Sequence, residues 1–156
     1  MYDLKFARLI EANSKSLAES LVHELRTGAR TPSFHQIAAA DLHEEFDELY
    51  LHLTQWLITN TEGDVERRQS QLGAYRAAQR IPVDEFLWAL LLSKRKLFEY
   101  LQREVTVAVP YELIFEIEFM QALNDFFDRA IYHAIVGYVH HQAKESAQNQ
   151  RSQIHA

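Results

Sequence analysis

Cysteine is absent from this 156-residue chain. Disulfide frameworks, zinc–thiolate sites and thiol nucleophiles are thereby excluded, and the composition fits a reducing compartment. Three prolines and four glycines leave few turns, which suits long helices. The glycines, at positions 28, 63, 73 and 137, stand alone, so no phosphate-cradling loop can form, and a Gly-x-Ser-x-Gly nucleophile elbow is missing too. Positive charge is in deficit, with a net charge of −6, whereas nucleic-acid binding needs a concentrated basic face. The short run Lys94-Arg95-Lys96 reads as a solvated helix face. Long apolar runs are lacking as well. Phe86 to Leu92 is the longest, far short of the ~20 residues that cross a bilayer. The N-terminus carries Asp3, Lys5, Arg8 and Glu11 and holds no signal-peptide core. A cytoplasmic protein, with neither nucleic acid nor membrane as partner, is the expectation.

What the chain does have is apolar content, 47% of residues, including nine Phe, seven Tyr and two Trp. That suffices for one domain with a real core. Phe6, Leu9, Ile10, Leu17, Leu21, Val22 and Leu25 recur at helical spacing from about Asp3 to Thr27, with Gly28 and Pro32 as stops. Ser33 and Gln36 are spaced to cap a short turn under Phe34 and Ile37. A second helix, about Ala39 to Thr59, carries Leu42, Phe46, Leu49, Leu53, Trp56 and Leu57 on one stripe, with Glu44, Glu45, Asp47 and Glu48 facing elsewhere. Thr61 and Asp64 have capping-box spacing, so a third helix is expected from near Glu62 to near Arg80. It is the most polar of the set, with Val65, Leu72, Tyr75 and Ala78 as a thin apolar edge. It belongs on the outside or beside a site.

Pro82 fixes its own φ and biases Ile81 away from the helical region, so the chain turns there. The fourth helix, Val83 to Glu104, places Phe86, Leu87, Leu90, Leu91, Leu97, Phe98 and Leu101 on one stripe, with Asp84 and Glu85 suiting the macrodipole at its start. Val105 to Pro110 reads as an extended connector. A last helix, from Tyr111 to at least His141, is apolar around more than half its girth, so it is central to the bundle or shared with a second copy. The expected fold is all-α: a single bundle of about five helices, globin-like or four-helix-bundle-like, with a long C-terminal helix. Residues 1–141 form the domain and 142–156 a polar tail or linker stub.

Eight histidines invite a test for metal. Glu19/His23 and Glu48/His52 share helix faces at i,i+4 spacing, but the Glu-x-x-His pairs of ferritin-like di-iron sites and the His-Glu-x-x-His zinc motif are both absent. Ordinary helix-surface pairing explains both pairs. For haem, His133 is the best axial candidate, lying among Ile131, Tyr132, Ala134 and Ile135, although a lone histidine beside an apolar face is usually a satisfied polar group. Neither a cofactor nor an enzymatic activity is expected. The third helix offers a binding site instead. Arg76 and Arg80 are i,i+4 neighbours, and Arg95 can approach them across the hairpin. With Tyr75 and Trp88 they make a candidate site for an anionic ligand or a partner carboxylate. The competing reading pairs these arginines with surplus Asp and Glu on neighbouring helices.

Leu72-Gly73 and Arg76, then Arg80-Ile81-Pro82-Val83-Asp84-Glu85-Phe86-Leu87, Arg95, and Phe126-Phe127-Asp128-Arg129-Ala130-Ile131 continuing to Tyr138 resemble the N-terminal sensory domain of the RsbRD type. Such domains are found in stressosome co-antagonist proteins, some sensor histidine kinases and related bacterial regulators. The resemblance spans about Leu4 to Tyr138 and rests on helix-packing patterns, not catalytic signatures. It implies an all-helical input module that is not itself an enzyme. Such modules usually precede an effector domain, and too few residues follow Tyr138 for one, so a stand-alone sensor-like subunit or a fragment is expected. The expected function is bacterial signal input through a homodimer or a kinase, phosphatase or anti-sigma-type partner. The expected contact surface is the last helix around Phe119, Leu123, Phe126 and Ile131. The alternative is a helical metal or haem protein serving as a gas or redox sensor.

Overall fold

The computed structural model describes residues 4–59, 62–104 and 110–154, the side chains at 4, 62 and 110–115 excepted. Among these residues lie five helices: α1 (Leu4–Thr27), α2 (Ala39–Thr59), α3 (Glu62–Ala78), α4 (Val83–Glu104) and α5 (Pro110–Ile154), with a 3-10 turn at Pro32–Gln36 after α1. None of the described residues is in a strand, and the architecture is the all-α bundle that periodicity implies. The cap expected at Thr61 lies outside the described residues, as does the connector expected at Val105 to Pro110 apart from Pro110, which opens α5.

Two helix pairs make up the bundle. α1 packs on α2, α3 packs on α5, and α4 bridges α1 and α5 while α2 also reaches α5. The first pair is filled by large side chains: Ile10, Leu21, Leu25, Leu42 and Leu53 are fully buried, each contributing about 1.5–3 kcal/mol. The second pair meets differently. A Cβ at Gly73 would intrude on the Ala134 carbonyl oxygen and lie 2.8 Å from the Tyr138 nitrogen. One at Gly137 would intrude on the Ser70 backbone, 2.7 Å from its Cα. Only glycine lets the two backbones come this close.

α5, with 45 residues, is roughly 67 Å long at 1.5 Å per residue. Its wide apolar girth is used within the chain, where Phe119, Leu123, Phe126, Phe127, Ala134 and Tyr138 are buried. Past Tyr138 the helix continues to Ile154, mostly exposed, so most of the stretch expected as a tail is helical.

Three local readings need correction. Leu87 and Leu91, expected on the core stripe of α4, are 36% and 40% exposed, because the buried face is rotated away from that stripe and takes in Glu85, Ala89, Leu92 and Ser93 instead. The buried face of α3 is Val65, Gln69, Gly73, Arg76 and Ala77, while Tyr75 is exposed; its glycine and polar members carry no hydrophobic signal. α3 also ends at Ala78 instead of near Arg80. Arg80 takes a left-handed φ of 61°. Its N–H donates to the Ala77 carbonyl, and the Ile81 N–H donates to the Arg76 carbonyl. This closure is usually built on glycine.

The elbow at Ile81-Pro82 is braced from both sides. The Glu85 carboxylate accepts hydrogen bonds from the Ser33 N–H and hydroxyl at 2.7 and 2.6 Å, so α4 caps the 3-10 turn from across the fold. The Tyr138 hydroxyl donates to the Ile81 carbonyl at 2.5 Å.

Candidate ligand cleft between the second and third helices

The five residues expected to form one anion site fall in three places. Arg76 is buried at 2% exposure and pairs with Glu45 of α2. It also donates to Gln79 Oε1 at 2.6 Å, and its guanidinium lies over the rings of Phe34 and Tyr75. Arg80 sits at the elbow, beside Pro32 and Ser33. Trp88 is flanked by Arg95 at 5.2 Å and by Arg30 at 4.6 Å from its ring centre. Among the described residues, the contacts of Arg76 and those of Arg95 share no residue. The partner expected for these arginines on the charge argument, a carboxylate of a neighbouring helix, is found for Arg76.

Tyr75 and Glu45 instead border a cleft of about 420 Å³ between α2 and α3, together with Glu48, Leu49, His52, Arg68, Gln69 and Leu72. Helical spacing explains the lining. Glu45, Glu48 and His52 are three and four residues apart on α2; on α3, Leu72 lies four residues after Arg68 and three after Gln69, and Tyr75 three after Leu72. Burial pushes the Glu45 carboxyl above its ordinary range, against the opposing pull of Arg76, while Glu48 and Asp41 add to the rise. Burial likewise lowers the His52 imidazole, with Arg68 nearby adding to the effect and Asp64 opposing it, which favours its neutral form.

Two side chains of the cleft are buried with an unanswered polar atom: His52 Nδ1 and Gln69 Oε1, in residues 5% and 4% exposed. Sequence reasoning noticed His52 only as the partner of Glu48 in an i,i+4 pair. It missed Gln69, for which a polar residue on an otherwise thin helix face was the available signal. The cleft can hold a small molecule and offer it carboxylates, an amide oxygen, a neutral imidazole and an aromatic face.

Of the expected partner surface, Phe119, Leu123 and Phe126 are at most 1% exposed within the chain's own core, and Ile131 is half-buried. Phe126 is held edge-on by His52 at 5.8 Å and contacts Trp56 at 5.5 Å. Exposed apolar side chains include Val83, Leu87 and Leu91 on α4 and Ile117, Tyr132 and Val139 on α5, besides Ile58 on α2, Tyr75 on α3 and Ile154 at the end of α5. His133 is half-buried with its ring edge-on to Tyr132. Among the described residues no three His, Asp or Glu side chains converge as metal ligands would.

A family model described as RsbT co-antagonist protein rsbRD N-terminal domain matches residues 15–153. No curated protein and no solved structure matches the chain.

Proposed function

The chain belongs to the RsbRD N-terminal domain family, a stressosome-type signalling family, and from that premise we propose a non-enzymatic input module in which α3 relays the state of the cleft to α5. The division of α3 between two neighbours carries this reading. Gln69, Leu72 and Tyr75 border the cleft, whereas Ser70 and Gly73 meet the α5 backbone. Closely packed backbones do not deform continuously, so a shift of α3 against α2 must also displace α5. His52 adds a second link, since it lines the cleft and packs on Phe126 of α5.

Output passes to another protein. Val83, Leu87 and Leu91, one turn apart on α4 and each at least 36% exposed, offer an apolar stripe to a second copy of the chain, with Ile131 the half-buried member of α5 able to join it. A kinase, phosphatase or anti-sigma-type protein is the further partner this family membership suggests. The proposed setting is the cytoplasm, in keeping with the cysteine-free sequence. No described helix is long and apolar enough to cross a membrane.

Hydrogen exchange tests the relay. Gln69→Glu in the cleft should raise amide exchange in α5 around Ala134–Tyr138 as well as in α2 and α3; a change confined to α2 and α3 would remove the relay. Sedimentation tests the partner face. Wild-type dimers should become monomers in Leu87→Glu/Leu91→Glu with helical content unchanged, and an unaltered dimer would discard that surface.

A further inference from the structure

Resting on the proposed relay, we propose that the α2/α3 groove is a receptor site for a small aliphatic amine, whose ammonium sits between Glu48 and Gln69 Oε1 and whose carbon chain lies on Leu72 and Tyr75. The groove is longer than the cleft alone. A second recess of about 260 Å³ shares Glu45, Glu48 and Tyr75 with it and adds Asp41 and Glu44 to the α2 wall. Arg76 neutralises Glu45, but among the described residues Asp41, Glu44 and Glu48 take part in no ion pair. The groove therefore carries an excess of negative charge, with four carboxylates on its α2 wall against Arg68 and Arg76 on the α3 side.

Gln69 supplies an independent reason. It is 4% exposed and its Oε1 has no donor. A buried acceptor left unanswered is a standing cost that a donor-bearing ligand removes. An anion entering the groove would meet three unneutralised carboxylates, and an apolar molecule would leave Gln69 unanswered. An ammonium group brings three donors and a positive charge, which satisfies both demands. The half-exposed Tyr75 ring, 54% accessible, provides an apolar surface for the alkyl chain. The exposed Arg68, which also lines the groove, favours a compact ligand whose charge lies on the Glu48 side.

The test is titration of the whole chain with 1,4-diaminobutane, n-butylamine and butyrate at constant ionic strength, followed by calorimetry and thermal unfolding. Both amines should bind and raise Tm by about 5 °C at a hundredfold excess over Kd, while butyrate should do neither. Glu48→Gln and Gln69→Leu should each weaken amine binding about tenfold, and Glu118→Gln, an exposed acid on α5, should leave it unchanged. Absence of binding by both amines, undiminished binding in both groove variants, or preferential binding of butyrate would overturn the assignment. The relay is read in unliganded protein by hydrogen exchange, so a silent groove with exchange still coupled to α5 rejects the amine and leaves the relay standing.

Discussion

The α1/α2 and α3/α5 pairs are joined by opposite means. Between α1 and α2, large apolar side chains fill the interface, with Ile10, Leu21, Leu25, Leu42 and Leu53 fully buried. Between α3 and α5, side chains are withdrawn, and Gly73 and Gly137 let the backbones meet. The buried face of α3 even includes Gln69 and Arg76, the latter matched by Glu45. An interface made of area can repack and absorb small displacements. One made of backbone contact cannot, so it transmits them. In the proposed relay the rigid pair carries the signal, and the greasy pair serves as its frame.

The strongest way to break this comparison is to swap the kinds of damage. Gly73→Ala should destabilise the chain by about 3 kcal/mol or more, since the added methyl has no space, and Leu53→Ala should cost about 3 kcal/mol by leaving a cavity. Urea unfolding measures both; a Gly73→Ala variant as stable as wild type would mean the α3 and α5 backbones are not in contact.

Next in size is the buried pair. Arg76→Met should cost about 2–3 kcal/mol by stranding Glu45, and Arg76→Met/Glu45→Leu should recover most of it. The pH dependence has a definite sign. The Glu45 carboxyl has a folded pKa raised by burial, so the stability it supports is present below its unfolded value of about 4.5 and is lost as pH rises through the folded one. The Arg76→Met deficit should accordingly shrink on acidification toward pH 4.5. A deficit independent of pH would assign the effect to lost packing.

Smaller still, Arg80→Gly should stabilise the elbow by about 1 kcal/mol, because its left-handed φ is costly for a residue with a Cβ. Chemical denaturation of the pair of proteins reads this directly, and a destabilised Arg80→Gly would show that the Arg80 side chain holds the turn. The mildest expected effect concerns His52. Its folded pKa is lowered, so its contribution is complete above the unfolded value of about 6.5 and declines as pH falls toward the folded one. Urea midpoints at pH 7.5 and 5.5 should fall with acidification in wild type and less so in His52→Gln; equal slopes would remove His52 as the titrating group.

Legibility in the sequence followed the same divide. α2 and α4 have the bounds their apolar spacing implies, Ala39–Thr59 and Val83–Glu104, and the α1 stripe is buried apart from the half-buried Leu9. These faces announce themselves because area burial leaves a 3.6-residue hydrophobic period. The buried face of α3 left none, being made of Gly73, Gln69, Arg76 and Ala77 with only Val65 as a large apolar member. The expected arginine site rests on residue type, the i,i+4 spacing of Arg76 and Arg80 and an approach of Arg95 across the hairpin; the fold brings Arg76 and Tyr75 to the cleft region but not Arg80, Trp88 or Arg95. The Glu48/His52 pair was visible, but its relation to Gln69 requires knowing which face of α3 opposes α2.

The amino-acid sequence by itself determined that this chain is helical, where most helices begin and end, and that few classes of chemistry are open to it. Those outcomes depend on local propensity, periodicity and the absence of particular residue types. Tertiary structure alone decided that Glu85 caps a turn 52 residues away, that Arg76 meets Glu45 inside the fold, and that two isolated glycines face the opposing helix backbone. Each of these depends on the azimuth at which one helix meets another, and that angle is set by how all five pack at once.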